Sequence, residues 1–238
     1  LAAQNAGAEA YNVAIGYECG KQITTGVENT IIGGLAGDSL TTGSYNVAIG
    51  KSSLQAEDEH GRNVAIGYNT LATQNAGADA YNVAIGHNAG TLVSTGVQNT
   101  ILGSVAGDAL TTGSFNTTLG YGSLSLEDTG NRSTAVGYEA LRAQDYNGDA
   151  FNTACGMWAG KAVTTGRSNT FLGYQAGVAL TTGDNNIIIG KDAAASAVGA
   201  DNETVIGTTT TTSALVHGLK KPLYETASNV ATALPNSI

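Results

Sequence analysis

Residues 10–20 read AYNVAIGYECG and residues 80–90 read AYNVAIGHNAG. The shared core, Asn-x-x-(Ile/Leu/Val)-Gly, opens at Asn12, Asn29, Asn46, Asn63, Asn82, Asn99, Asn116, Asn152, Asn169 and Asn186, with Ser133 and Glu203 in the same slot of two further copies. Successive copies lie 17 residues apart, stretched to 19 between Asn63 and Asn82 and between Ser133 and Asn152. Four copies therefore make a unit of 70 residues, and a fixed period this short is the signature of a stacked repeat architecture. Seventeen residues are too few for a helix-turn-helix unit, and the apolar spacing has no 3.6-residue period. The pattern predicts an all-β protein, a parallel β-solenoid of twelve coils of 17 to 19 residues.

Composition agrees with that reading. Glycine supplies 33 of 238 residues, about twice the usual ~7%, and charged residues are only 12% against a typical ~25%. Small, β-branched and Gly-rich sequences suit short strands and tight turns. Glycine closes the motif in every copy, from Gly16 and Gly33 to Gly190 and Gly207, which predicts a corner with positive φ or close backbone approach. The Asn predicts a turn side chain that bonds locally or stacks into a ladder.

Within the strand, the column Ile15, Ile32, Ile49, Ile66, Ile85, Leu102, Leu119, Val136, Cys155, Leu172, Ile189, Ile206 is read as facing the interior. The column beside it is also largely apolar: Ala14, Ile31, Ala48, Ala65, Ala84, Ile101, Ala135, Ala154 and Ile188. Strands apolar on both faces are covered on both faces. A narrow coil has one inside, so these nine residues are expected at a seam between subunits. Residues 1–207 form the expected shaft, which begins in mid-coil because Leu1–Asn12 repeats as Leu71–Asn82. The period stops after Gly207, and 208–238 is read as a transition or cap.

The copies NVAIGYECG, NVAIGYNTL, STAVGYEAL and NTFLGYQAG resemble the repeats of bacteriophage tail-fibre and tail-spike proteins, and are similar to the left-handed β-roll in the head of trimeric autotransporter adhesins. The resemblance covers residues 1 to 207. It implies a left-handed roll, a homotrimer and a place on a virion tail or a cell surface. The function it implies is a rigid structural fibre with a role in host attachment. The head of a bacterial adhesin is the alternative.

A net charge of −9 with ten scattered basic residues argues against nucleic acid. No apolar run is long enough to cross a membrane, and the first residues lack the pattern of a secretory signal. Gly16–Lys21 and Gly156–Lys161 miss the spacing of a phosphate loop and lack its Ser or Thr. Cys19 and Cys155 stand eight coils apart, roughly 38 Å at the usual strand spacing, so they are expected as buried free thiols. No catalytic set, cofactor motif or metal-spaced pair emerges, and the expectation is a protein that is not an enzyme. Acidic loop residues Glu57, Asp58, Glu59, Glu127, Asp128, Asp145 and Asp149 are expected as solvated charges.

Two aromatic columns stand out. Tyr17, Tyr68, Tyr121, Tyr138 and Tyr174 follow the closing glycine, and Tyr11, Tyr45, Tyr81, Phe115 and Phe151 precede the Asn in alternate coils. Exposed aromatics in ladders suit the sugar rings of a host-surface glycan, and the plainer role is to fill corners or subunit seams. The first column is the candidate glycan-facing set. Thr24, Thr41, Thr111, Thr164 and Thr181 recur in Thr-Thr-Gly or Ser-Thr-Gly turns, a pattern that also raises an ice-binding face. Two coils in every four interrupt it.

Overall fold

The computed structural model describes residues 2–5 and 9–211. Most of the expected 208–238 segment lies outside them. Twelve three-residue strands follow one another: β1 (Val13–Ile15), β2 (Thr30–Ile32), β3 (Val47–Ile49), β4 (Val64–Ile66), β5 (Val83–Ile85), β6 (Thr100–Leu102), β7 (Thr117–Leu119), β8 (Thr134–Val136), β9 (Thr153–Cys155), β10 (Thr170–Leu172), β11 (Ile187–Ile189) and β12 (Thr204–Ile206). They form one parallel sheet in strict sequence order. Register equals the repeat: Val13 pairs with Thr30, Ala14 with Ile31 and Ile15 with Ile32. The 19-residue steps keep it, with Val64 opposite Val83 and Thr134 opposite Thr153. The chain is therefore an all-β parallel β-solenoid.

The interior reverses the expected orientation of the strand columns. The middle residue of each strand points inward, and Ile31, Ala48, Ala65, Ala84, Ile101, Ala135, Ala154 and Ile188 are wholly buried; Ala14, in the first coil, is partly buried against the same core. These residues line the inside of the coil and cannot form a seam between subunits. The reason is geometric. A three-residue strand that turns its centre inward must turn both ends outward, so the Ile15 column and the Val13 column share the outer face.

Packing across the coil is a matter of volume. Six of the twelve inner middle positions are Ala, and Ile31, Ile101 and Phe171 sit opposite glycines on the facing turn. A Cβ on Gly37 would approach Cδ1 of Ile31 to 3.1 Å, one on Gly90 would meet Cδ1 of Ile101 at 2.9 Å, and one on Gly160 would meet Phe171 at 2.7 Å. Leu40, Leu71, Leu110, Leu124 and Leu141 complete the core from the other walls.

Two backbone devices hold coil to coil. The closing glycines stack directly: Gly103 has φ of 140°, and a Cβ there would lie 2.6 Å from the carbonyl carbon of Gly120. No other residue fits that column. The buried asparagines form the expected ladder. Oδ1 of Asn29 accepts from the backbone N–H of Asn46 at 2.9 Å, while its Nδ2 donates to the carbonyl of Gly43 at 2.9 Å. The Asn29 amide thus satisfies polar backbone groups in the next coil that burial would otherwise leave unpaired, and Asn99, Asn116 and Asn169 repeat the arrangement.

Candidate interaction surfaces

Three surfaces run along the rod, and the broadest is the outer face of the sheet. It presents two residues from each of twelve strands, and none of them is charged. Ile15, Ile85, Leu119, Leu172 and Ile206 are 37–60% exposed. Cys155 belongs to this face and is exposed, contrary to the expected burial, whereas Cys19 is buried; neither is bridged. At about 4.8 Å per strand and ~3.3 Å per residue the face covers roughly 500 Å². Seven of its positions are Thr and the rest are aliphatic or Cys155; an exposed, uncharged patch of this extent falls in the range that marks interaction sites.

The second surface is the column after the closing glycine. Tyr17, Tyr68, Tyr121, Tyr138 and Tyr174 are all exposed. Neighbouring rings stack along the rod: Tyr68 on His87 at 5.2 Å between centroids, and Tyr121 on Tyr138 at 5.3 Å, with interplanar angles of 18° and 13°. Trp158, one position further along its coil, meets Tyr138 edge-on at 6.3 Å and lies 5.8 Å from Tyr174. Its Nε1 donates to Glu139 Oε2 at 3.0 Å, and Lys161 Nζ reaches the same carboxylate at 2.6 Å. These contacts hold the Glu139 carboxyl below the usual carboxylate range, the Lys161 hydrogen bond most of all. Sequence reading missed this cluster because it followed the position directly after the closing glycine, one residue short of Glu139 and Trp158, and weighed Lys161 only as the end of a phosphate loop.

In the third surface, the column before the asparagines, arginines fill the gaps between aromatics. Arg62 lies 4.8 Å from the Tyr45 ring centroid and 5.7 Å from that of Tyr81, and Arg132 relates in the same way to Phe115 and Phe151 at 4.9 and 5.9 Å. Arg62 Nε also meets Asp79 at 2.7 Å, and Arg132 Nε meets Asp149 at 3.2 Å. With their partners already in place, these rings form a cation–π stack that staples successive coils.

Two of the expected solvated carboxylates are buried. Glu57 and Glu127 have no exposed surface, and they occupy the inner column that begins with Ile23 and Leu40. Glu127 accepts from the N–H of Gly130 at 2.7 Å, from Nε2 of Gln144 at 2.8 Å and from the N–H of Tyr146 at 3.3 Å. Glu57 accepts from the N–H of His60 at 3.0 Å, but its Oε2, the Nε2 of Gln74 and the Nδ1 of His60 have no hydrogen-bond partner. Burial pushes both carboxyls above the ordinary range. Ligand-type atoms of Glu57, Asp58 and His60 gather within 4.8 Å of one another, as do those of Glu127, Asp128 and Asp145. In the second group the N–H and amide donors already occupy Glu127, which gives it a structural role.

The threonines of the Thr-Thr-Gly turns are likewise engaged. Thr24 Oγ1 donates to the carbonyl of Thr41, Thr41 to Asp58, Thr111 to Asp128, Thr164 to Thr181 and Thr181 to Val198, at 2.9–3.2 Å. Their hydroxyl protons serve the coil stack.

No helix among the described residues is long and apolar enough to cross a membrane. Searches of protein-family models, curated proteins and solved structures returned no match to this chain.

Proposed function

We propose that the chain is a shaft segment of a homotrimeric fibre of the viral-tail type, a left-handed roll whose work is mechanical and adhesive rather than catalytic. The observation that carries this reading is the outer sheet face: a column of Ile, Leu and Val from Ile15 to Ile206, broken only by Cys155, beside a column of Val, Ile and Thr, with no charge on either. Burial of apolar surface is worth about 25 cal/mol per Å², so a face of this extent favours association with further copies. A rod also suits a spacer, because each coil is hydrogen-bonded to the next and sheet edges occur only at its ends. Exposed aromatics along a corner suit contact with a host surface.

Multi-angle light scattering tests the assembly. The wild-type chain is expected at three times the monomer mass, and Ile66→Glu combined with Ile85→Glu is expected to run as a monomer, because charges repeated around one axis cannot all be hydrated. A monomeric wild type, or a doubly substituted chain that still assembles, would overturn the proposal.

A further inference from the structure

We infer that the depression beside Tyr121 and Gly122 is a saccharide subsite that takes one uncharged hexopyranose ring. It deepens the attachment role proposed above by giving it a place and a ligand class.

The depression exists because of one missing side chain. The position two after the closing glycine carries Leu35, Ser52, Asn69, Asn88 and Val105 in earlier coils and Glu139 and Trp158 in later ones. Gly122 leaves that column open between Val105 and Glu139, and a hollow of about 260 Å³ results. That is below the ~300–1,000 Å³ of sites for drug-sized ligands, so it holds one ring rather than a chain.

The walls have the chemistry of sugar recognition. Tyr138 covers one face of the Tyr121 ring, and the residue one coil earlier in that column is Ser104, too small to cover the other. A pyranose can lay its C–H face there, with Leu126 beside it. The polar groups sit across the hollow. Asp108 Oδ1 is buried without a hydrogen-bond partner. Lys161 and Trp158 hold Oε2 of Glu139, while its Oε1 lies 3.7 Å from Nε of half-exposed Arg142. A vicinal diol can donate to that Oε1 and to Asp108 while accepting from the guanidinium. Asp108, Glu139, Arg142 and Lys161 cancel in charge, which favours an uncharged sugar.

The other half of the molecule is an internal control. Seventy residues earlier the inner wall is the same, with Ser53, Leu54 and Glu57 for Ser123, Leu124 and Glu127. The lining differs: Lys51, Ser52, Asn69 and Ala72 replace Tyr121, Gly122, Glu139 and Arg142. The hollow is therefore not a by-product of the repeat.

Trp158 is the chain's one tryptophan, and its bond to Glu139 makes its fluorescence a reporter of this site. The assembled wild-type chain is titrated with the methyl pyranosides of glucose, galactose, mannose and N-acetylglucosamine, with saturation-transfer NMR on the same sugars. At least one is expected to give a saturable response. Gly122→Asn, which fills the hollow, and Arg142→Ala should each weaken it about tenfold or more. Both variants should melt like the wild type, because Asn69, Asn88 and Ala72 occupy those columns elsewhere. No saturable response up to roughly 100 mM, beyond the weak end of specific binding, or a response that survives Gly122→Asn, would overturn the subsite. A trimer that binds none of the four sugars sinks this inference alone, and a monomer that binds one sinks the fibre alone.

Discussion

The backbone N–H of Asn116 donates to Oδ1 of Asn99 at 2.9 Å, and Nδ2 of Asn99 donates to the carbonyl of Gly113 at 2.9 Å. Asn99 is wholly buried, so water cannot replace either bond. Asn99→Ala leaves an N–H and a carbonyl unpaired in the interior, which costs about 1–3 kcal/mol for each orphaned group. The expected result is a urea midpoint lowered by an amount equivalent to about 2–6 kcal/mol. An unchanged midpoint would mean that the ladder is decorative.

Gly103 and Gly77 make a matched pair. Both have positive φ, but a Cβ on Gly103 collides with the backbone of Gly120, whereas one on Gly77 has nothing within 4 Å. Gly103→Ala must push two coils apart, so it should melt the rod locally and open a protease site near residue 103. Gly77→Ala carries only the cost of a left-handed residue, about 1 kcal/mol. Limited proteolysis with mass spectrometry of the fragments separates the two, and equal patterns would refute stacking as the reason for glycine here.

Buried Glu57 and Glu127 set the pH dependence. Burial is the main cause of their raised pKa, so the folded chain holds these protons more tightly than the unfolded chain. Their contribution to stability is full below the ordinary glutamate pKa near ~4.3 and is lost as pH climbs through the raised folded values. Asp79 and Glu139, lowered chiefly by Arg62 and Lys161, act in the opposite direction; their cationic partners are a third or more exposed, so solvent screens these pairs and their effect is small. Melting temperature should thus fall between about pH 4 and the raised pKa and then level off. Glu57→Gln with Glu127→Gln should flatten the curve, and a slope that persists in the double variant would move the effect elsewhere.

The sequence carries the coil number, the register, the glycine corner and the asparagine ladder, because each depends on a period that can be counted. Inside and outside were not legible from alternation. In a strand such as Val47–Ile49 all three residues are apolar, so the inward one cannot be told by polarity. The available signal is size: Ala fills half of the middle column, as a narrow interior favours, and neither outer column holds a single Ala. Glu57 and Gln74 were legible too, since they stand eleven residues after Asn46 and Asn63, in phase with Ile23 and Leu40. Loop-like composition around Glu57 hid that phase. The hollow at Gly122 was not legible, because it depends on which side chain is absent between two coils.

Cys155 offers a chemical test of the outer face. It lies on β9 between Val136 and Leu172 in the sheet, and it is exposed in the single chain, whereas Cys19 is 5% exposed. If further copies cover the face, the Cys155 thiol of the assembled wild type should react slowly with a thiol reagent, as slowly as Cys19. In the Ile66→Glu, Ile85→Glu chain the face is open, so Cys155 should react fast and Cys19 should not change. The two sites report separately when the labelled peptides are read by mass spectrometry. Fast labelling of Cys155 in an assembled wild type would show that copies meet through another surface, and the aromatic columns would then be the next place to look, because they hold most of the other large exposed apolar groups among the described residues.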